Sequence, residues 1–378
     1  MKYKLSDICH YRKGKVDVSL LTDDTYISTE NMIPNRGGIT KASTLPTVDS
    51  TQLYKKGDVL VSNIRPYFKK IWQATCDGGC SNDVLVFQAN EGFDQDYLYY
   101  VLSDDAFFAY AMKTSKGTKM PRGDKHSIMQ YETEVCDLDT QRKIASLLKS
   151  IDSKIELNNA INNNLMQQIQ SLFSDWFVTF TPFGGNKPSS WNKTDIYAIS
   201  KVIYGAPFAS KAFNTERNGV PIIRIRDLKE QQFVTYTTET HPKGYLLKPG
   251  DVVVGMDGEF RPYIWGNDKA WLNQRVCVFE NKRPNGKAFL YCVIKPLLYA
   301  IEQTQVGTTV IHIGKKDFDS FEFWLPEDCV LDKFDSLTNP MYQQIVFSLL
   351  ENKKLVVLRD TLLPKLLSGE INVSDIDL

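Results

Sequence analysis

The stretch KGDVLV (residues 56–61) in the first half of the chain recurs in the second half as PGDVVV (residues 249–254). A Gly-Asp pair followed by branched apolar residues is typical of a tight turn that leads into a buried strand. Glycine tolerates positive φ there, and branched side chains suit the pleated sheet. The glycine, the aspartate and the valines therefore have structural explanations, and the motif indicates a repeated fold.

Further landmarks recur in the same order along both halves. They are Arg65-Pro66-Tyr67 and Arg261-Pro262-Tyr263, a following Trp72 and Trp265, the apolar runs 84–87 and 276–279, and Gly117-Thr118 and Gly307-Thr308. Self-similarity in a fixed order is the signature of an internal repeat. We therefore predict a tandem duplication of one module.

Length and composition also favour more than one domain. The 378 residues exceed the length of an ordinary domain, and 42% hydrophobic residues are normal for a globular protein. The sequence has no long apolar run and no signal peptide, so we expect a cytoplasmic protein. Lysine plus arginine equals aspartate plus glutamate at 45 each, so nucleic-acid binding would have to depend on local patches.

Cysteine usage argues against a disulfide framework and against a metal site. The seven cysteines are scattered along the chain, as expected for reduced and mostly buried thiols. Cys76 and Cys80 form a close pair, but no second pair of ligands stands at matching spacing. We therefore expect no bound metal.

Each module is predicted to contain strands and helices. Residues 82–87 and 274–279 predict a second strand in each copy, and residues 96–113 and 287–303 have the period of amphipathic helices. The predicted fold class is α/β of the mixed α+β kind.

Each module is followed by a predicted long helix with a coiled-coil seam. In the first helix the seam positions are Ile144, Leu148, Ile151, Ile155, Asn158, Asn162, Leu165, Ile169, Leu172 and Trp176. In the second they are Ile345, Leu349, Asn352, Val356, Arg359, Leu363 and Leu366. Thr338-Asn339-Pro340 predicts the start of the second helix, Pro364 a kink in its last turn, and Gly369 its end.

Two such helices can bury their apolar stripes by pairing with each other, as an antiparallel coiled coil. Asn158 and Asn162 would then fix the register. The alternative is an ordinary helix with two solvated asparagines. The predicted domains are a first module (1–138), a first long helix (139–180), a second module (181–332), and a second long helix with the C-terminus (333–378).

Two segments of the first module combine positive charge with aromatic or glycine residues. Residues 55–70 hold five lysines and arginines against one aspartate, and residues 113–125 hold the same balance. Lysines neutralise phosphates, while arginine forks and amides can read base edges. These segments favour DNA binding, although a solvated surface charge is the alternative for any single lysine.

The predicted DNA-binding residues of the first module are Asn63, Arg65, Tyr67, Lys69, Lys70, Lys113, Lys116, Lys119, Arg122 and Lys125. Those of the second module, whose loop is less basic, are Arg217, Arg224, Arg226, Arg261, Tyr263, Arg275, Thr308, Lys315 and Lys316.

The sequence offers no convincing catalytic motif. Glycine-rich nucleotide loops, an adenine-methyltransferase motif and a nuclease cluster are all missing. Asp251, Asp257 and Glu259 form a carboxylate group, but the first copy has no matching carboxylates. We therefore predict a protein without catalytic residues or a cofactor of its own.

The repeated landmarks, DTQRKI (residues 139–144) opening the first long helix, and LVVLRDTLLPKLLSGE (residues 355–370) resemble the specificity subunit of type I restriction-modification enzymes. The similarity covers nearly the whole chain. One departure is that residues 326–334, which open the second helix, lack the glutamine found at Gln141.

The resemblance implies two target-recognition domains, each reading one half of a bipartite DNA site, in a subunit that catalyses nothing. Partner modification subunits would bind S-adenosylmethionine and methylate adenine, and restriction subunits would use ATP and Mg²⁺ to translocate and cleave DNA. The helices would act as a ruler that spaces the half-sites about one DNA turn apart. Competing hypotheses are a fused restriction enzyme and a helical scaffold with two protein-binding modules.

Overall fold

The computed structural model describes residues 2–304 and 312–373. The chain forms two compact units. The first consists of Met1–Ser153 together with Val356–Leu378, and the second is Lys154–Leu355. Each unit mixes strands and helices, so the predicted fold class is confirmed. The Gly307-Thr308 landmark lies outside the described residues.

The described part of the first unit contains ten short strands, four helices, the start of one long helix and the end of another. The strands are β1 (Lys2–Lys4), β2 (Cys9–Tyr11), β3 (Lys15–Asp17), β4 (Tyr26–Ile27), β5 (Ser50–Tyr54), β6 (Val59–Ser62), β7 (Ile71–Gln73), β8 (Gly78–Cys80), β9 (Val84–Ala89) and β10 (Glu132–Glu134). The helices are α1 (Leu5–Ile8), α2 (Gln95–Ser103), α3 (Asp105–Lys113), α4 (Lys125–Ile128) and α5 (Leu138–Phe177), of which residues up to Ser153 belong to this unit.

The second unit is built in the same manner. Its strands are β11 (Asn192–Asp195), β12 (Ser200–Tyr204), β13 (Phe213–Asn214), β14 (Val220–Ile223), β15 (Tyr236–Thr237), β16 (Val252–Gly255), β17 (Pro262–Ile264), β18 (Trp271–Leu272), β19 (Val276–Asn281) and β20 (Glu322–Leu325). It also contains the rest of α5, together with α6 (Lys287–Thr304), α7 (Lys315–Phe318) and α8 (Asp328–Leu367) as far as Leu355.

The main sheet confirms the predicted duplication. In the first unit its strand order is β2-β9-β6-β7, and in the second it is β12-β19-β16-β17, with antiparallel pairing throughout. The registers also correspond, because Val59 lies opposite Phe87 and Val252 lies opposite Phe279. Both repeated Gly-Asp turns therefore lead into the same central strand.

The aspartate of each turn has a structural role. Asp58 is buried, accepts a hydrogen bond from the Lys55 amide at 2.8 Å, and pairs with the Arg12 guanidinium. Asp251 likewise accepts from the Lys248 amide at 2.8 Å and from the Tyr245 hydroxyl at 3.0 Å. These contacts close the turn, as expected for aspartate in such a position.

The second sheet of each unit diverges. Both contain a parallel pair, β4 with β8 and β14 with β18. The remaining strands differ, since the order is β3-β5-β8-β4 in the first unit and β13-β15-β14-β18 in the second. The duplication is therefore strictest in the main sheet.

The predicted helix at residues 96–113 is instead two helices. α2 ends at Ser103 and α3 begins at Asp105, because Asp104 takes an extended conformation (ψ 144°). Its carboxylate accepts a hydrogen bond from the Ala106 amide at 2.6 Å. A side-chain cap of this kind starts a new helix, so the prediction of one continuous helix was wrong.

The predicted start of the second long helix was also wrong. α8 begins at Asp328, and Pro340 lies inside it. The acidic first turns of the helix surround the Arg283 guanidinium, which contacts Asp328 at 2.7 Å and Asp335 at 3.1 Å. Acidic side chains near a helix N-terminus are favourable, and the packing of this segment outweighs the one hydrogen bond that proline removes. At the other end, α8 stops at Leu367, before Gly369 with φ 74°.

The predicted packing of the two long helices against each other is confirmed within each unit. In the first unit, Ile144 and Leu148 of α5 share a hydrophobic core with Leu363 and Leu366 of α8. In the second unit, aromatic rings of α5 pack against Phe334 of α8, with ring centroids 5.0 to 6.3 Å apart. Within the second unit, Asn158 contacts Asn352, whereas the later residue Phe173 of α5 contacts the earlier residue Phe334 of α8, so the two helices run antiparallel there.

The seam asparagines are buried, so the alternative of two solvated asparagines is wrong. Asn158 is 2% exposed, and its Nδ2 donates to Asn352 Oδ1 at 2.8 Å and to Glu351 at 2.7 Å. Asn352 in turn donates to Asn159 at 2.8 Å. Asn162 is also buried, but neither polar atom of its amide has a hydrogen-bond partner among the described residues, so the pairing is that of Asn158 and Asn352. Polar side chains that pair inside an apolar seam favour one register.

Candidate nucleic-acid interface

The two basic segments of the first unit lie side by side. The loop after β6 and the loop between α3 and α4 are joined by a bridge between Ile64 and Arg122. The Arg65 amide donates to the Pro121 carbonyl at 2.8 Å, and the Gly123 amide donates to the Asn63 carbonyl at 3.0 Å. We call the backbone assembly of residues 63–65, 83 and 121–123 the first junction.

Gly123 allows the two loops to approach each other closely. A Cβ atom at this position would lie 2.6 Å from Asn63 Oδ1 and 2.8 Å from Ile128 Cδ1. Both atoms are the ends of side chains, so a larger residue at this position would require the Asn63 and Ile128 side chains to move. The glycine therefore leaves room for the Asn63 side chain in the first junction.

A strained turn follows the first junction. Arg65 and Lys69, both with φ 50°, flank a single 3-10 turn at Pro66–Phe68. The amides of Asn35 and Arg36, which also have positive φ, donate to the carbonyls of Phe68 and Lys69 at 2.8 and 2.9 Å. Non-glycine residues keep such conformations only where their surroundings hold them there. Tyr67, 48% exposed, is therefore presented on a fixed turn.

Four predicted cations of the first unit have partners within the unit, three of them a carboxylate and one a backbone carbonyl. Lys69 pairs with Asp105 at 2.8 Å, Lys116 with Asp124 at 2.6 Å, and Arg122 with Asp83 at 3.1 Å; Lys70 donates to the Thr29 carbonyl at 2.6 Å. The hydrogen bond from Lys116 holds the pKa of the Asp124 carboxyl well below its usual range, so this carboxylate stays charged.

Three predicted lysines remain available for phosphates. Lys113, Lys119 and Lys125 are exposed, and none of them forms an ion pair with a residue in 2–304 or 312–373. Of the remaining two predicted residues, Asn63 is buried in the first junction and Arg65 is half-buried. The structure therefore brings the predicted residues of the first unit into one region but exposes them unequally.

The second unit repeats the junction with the same backbone bonds. The Met256 amide donates to the Arg275 carbonyl at 3.0 Å, as Asn63 donates to Asp83 at 2.8 Å. The Ile313 amide donates to the Met256 carbonyl at 2.9 Å. A bridge joins residues 257 and 312, matching the bridge between residues 64 and 122. We call this assembly of residues 256–257, 275 and 312–313 the second junction.

The second junction carries an aspartate, a histidine and an arginine in contact. Asp257 accepts a hydrogen bond from His312 Nδ1 at 2.7 Å and lies 3.5 Å from Arg275 Nη1. Arg275 is the one predicted DNA-binding residue that belongs to this assembly. His312, Asp257 and Asp83 belong to the two junctions but are not among the DNA-binding residues predicted from the sequence. Their correspondence could have been found from the repeat, because Asp83 precedes Val84 as Arg275 precedes Val276.

The other predicted residues of the second unit that the structure describes lie outside its junction. Arg261 forms a two-pronged ion pair with Glu302 of α6, and this contact lowers the pKa of the Glu302 carboxyl. Arg224 donates to Thr235 at 2.7 Å, and Lys315 pairs with Asp319 at 3.2 Å. Arg217, Arg226 and Lys316 are exposed, Tyr263 is half-buried in β17, and Thr308 lies outside the described residues.

The carboxylates considered in the sequence have separate roles. Asp251 closes the turn before β16, and Asp257 belongs to the second junction. Across residues 2–304 and 312–373, no helix combines the length and the apolar character that a membrane span requires.

The sequence profile of the type I restriction modification DNA specificity domain matches residues 1–167 and 188–345. The chain belongs to this family. Two copies of the specificity domain thus follow each other along the chain, and the predicted resemblance is confirmed. Both junctions lie within the matched segments.

Relatives within the specificity-domain family match over most of their length. The specificity subunit of the type I restriction enzyme MjaIX from Methanocaldococcus jannaschii is 24% identical, over 86% of this chain and 80% of its own. The HindI specificity subunit from Haemophilus influenzae is 22% identical, over 98% and 99%. In fold, the chain is similar to the crystal structure of a type I S subunit from M. genitalium, with a TM-score of 0.57 at 16% identity over 97% and 96% of the two chains.

Proposed function

We propose that this chain reads a bipartite DNA site on behalf of a type I restriction-modification complex. Each predicted module, 1–138 and 181–332, recognises one half of the site. The long helices link the two modules, so that both halves are recognised together. The complex acts in the cytoplasm, where the host DNA lies.

The observation that carries the proposal is the repeated junction. The two units have the same backbone bonds between Asn63 and Asp83 and between Met256 and Arg275, yet their side chains differ. A shared framework with different polar side chains suits two readers of different sequences, because framework contacts position a protein and side chains select bases.

In this proposal the chain supplies no catalytic group. Modification subunits bind S-adenosylmethionine and methylate adenine, and restriction subunits use ATP and Mg²⁺ to cleave DNA. The bound DNA directs both partners to the site that the two modules select.

The test is the salt dependence of DNA binding by the chain assembled with its modification subunits. Phosphate contacts release counterions, so the logarithm of the affinity should fall linearly with the logarithm of salt concentration. A slope near zero would instead favour a helical scaffold that binds proteins.

A second measurement separates the proposal from an enzyme with its own activity. The purified chain, incubated with DNA and S-adenosylmethionine, should transfer no methyl groups, and methylation should begin when modification subunits are added. Methyl transfer by the chain alone would contradict the proposal.

A further inference from the structure

The two junctions differ most at the residue that immediately precedes the paired strand of the main sheet. In the first unit this residue is Asp83, before β9, and in the second it is Arg275, before β19. Each is fixed by the same backbone bond, from Asn63 in one case and from Met256 in the other. One position in the repeat thus holds a hydrogen-bond acceptor in one copy and a hydrogen-bond donor in the other.

In the first junction, one oxygen of the Asp83 carboxylate is bound within the chain and the other is not. Arg122 Nη2 donates to Asp83 Oδ2 at 3.1 Å, which fixes the orientation of the carboxylate. Within residues 2–304 and 312–373, Asp83 Oδ1 takes part in no hydrogen bond. Asp83 is 31% exposed, so this oxygen is available to a donor from outside the chain.

In the second junction, the Nη1 atom of the Arg275 guanidinium faces His312, whereas the Nη2 and Nε atoms have no partner in the described part of the chain. Arg275 Nη1 lies 3.1 and 3.4 Å from the two ring nitrogens of His312. Asp257 holds the same ring through Nδ1 at 2.7 Å. In the described part of the chain, Arg275 Nη2 and Nε make no hydrogen bond, and the side chain is 53% exposed. Asp257 and His312 therefore act as positioning residues for Arg275.

We propose that Asp83 and Arg275 discriminate bases in their respective half-sites, Asp83 as a hydrogen-bond acceptor and Arg275 as a hydrogen-bond donor. This inference rests on the proposed function. Arg275 donates to guanine O6 and N7, the pairing that a guanidinium fork favours, and Asp83 accepts from the exocyclic amino group of cytosine. The exposed lysines near the first junction contact phosphates and carry no base preference.

The experiment is a binding selection from a duplex library randomised in both half-sites, using the chain assembled with its modification subunits. The variants are Arg275→Lys, which keeps the charge and removes the fork, and Asp83→Asn, which keeps the shape and removes the charge. Arg142→Lys is the matched control, because Arg142 is similarly exposed and its one ion pair within residues 2–304 and 312–373 is with Asp139 in the first turn of α5.

R275K is expected to weaken the preference for guanine at one position of one half-site roughly tenfold. D83N is expected to weaken the preference for cytosine at one position of the other half-site by a similar factor, and R142K should change neither. Unchanged selected sequences in both variants, or a uniform loss of affinity for every sequence, would overturn the inference while leaving DNA recognition intact. A wild-type complex that selects no sequence would overturn the proposed function and this inference together.

Discussion

Asn158 of α5 and Asn352 of α8 form a buried side-chain hydrogen bond of 2.8 Å in the seam between the two helices. Both side chains have further partners, since Asn158 also donates to Glu351 and Asn352 donates to Asn159. Removing one member leaves the other buried without its partner.

We therefore expect Asn158→Ala to lower the free energy of unfolding by about 1–3 kcal/mol, the cost of an unsatisfied buried polar group. Replacing both Asn158 and Asn352 by leucine should recover most of that loss, because no unpaired group remains. Urea denaturation measures both effects. The control is Asn163→Ala at an exposed position of the same helix; equal losses in N158A and N163A would show that the buried pair contributes nothing.

Gly266 lets the segment after β17 pack closely onto α8 within the second unit. A Cβ atom at Gly266 would lie 2.3 Å from Leu349 Cβ, an atom that no rotamer change can move. We expect Gly266→Ala to destabilise the protein by about 2 kcal/mol or more, because the helix itself must shift.

Thermal and urea unfolding of the two variants, compared with wild type, provide the measurement. Gly314→Ala is the matched control, since a Cβ atom there would meet nothing closer than His312 Nε2 at 3.8 Å. If G266A were as stable as G314A, the close approach would not constrain this contact.

Asp227 should make stability depend on pH in an unusual direction. Burial raises the pKa of its carboxyl from 3.8 to about 6. Between these values the folded protein retains a proton that the unfolded chain releases, so stability should fall as pH rises from about 4 to about 6.

Across this pH window, Asp227 should lower the free energy of unfolding by at most about 3 kcal/mol, since each pKa unit corresponds to about 1.4 kcal/mol. Asp227→Asn should remove this decrease. The measurement is the difference in unfolding free energy between wild type and D227N across that pH window, and a difference that stays constant with pH would contradict the prediction.

Lys113 and Lys119 are exposed and form no ion pair in the described part of the chain. Replacing both by alanine should therefore leave stability nearly unchanged but weaken DNA binding by the assembled complex. Two lost phosphate contacts should also reduce the slope of log affinity against log salt by about 2.

The control for this variant is the double change Lys2→Ala and Lys4→Ala, which removes two exposed lysines of β1. Salt titrations of both variants on the same duplex compare them directly. An identical slope in the two double variants would place the phosphate contacts elsewhere.

Periodicity and repetition in the sequence predicted much of this architecture. The seam positions from Ile144 to Ile169 could be identified because a helix that packs on one face repeats its apolar residues every three or four positions. The duplicated strands could be identified because the Gly-Asp turns, with Asp58 and Asp251, stand at matching places in the two halves.

What the sequence did not predict depends on tertiary contacts. The break at Asp104 is a single cap inside a periodic stretch, and the passage of α8 through Pro340 depends on packing around it. The approach of Ile64 to Arg122 joins segments that are far apart in the chain, and local patterns contain no information about such pairings. The repeat relates position 83 to position 275, but their contacts with Arg122 and His312 could be recognised only in the folded protein.

The first unit is assembled from two separated parts of the polypeptide, Met1–Ser153 and Val356–Leu378. Its core includes Leu363, Leu366 and Val373, which close the apolar surface formed by residues such as Leu148. During synthesis these side chains leave the ribosome only after the whole of the second unit. The first unit therefore begins to be synthesised before the second unit but can complete its core only after it. A prematurely terminated chain would leave this core incomplete and exposed to proteases and to aggregation.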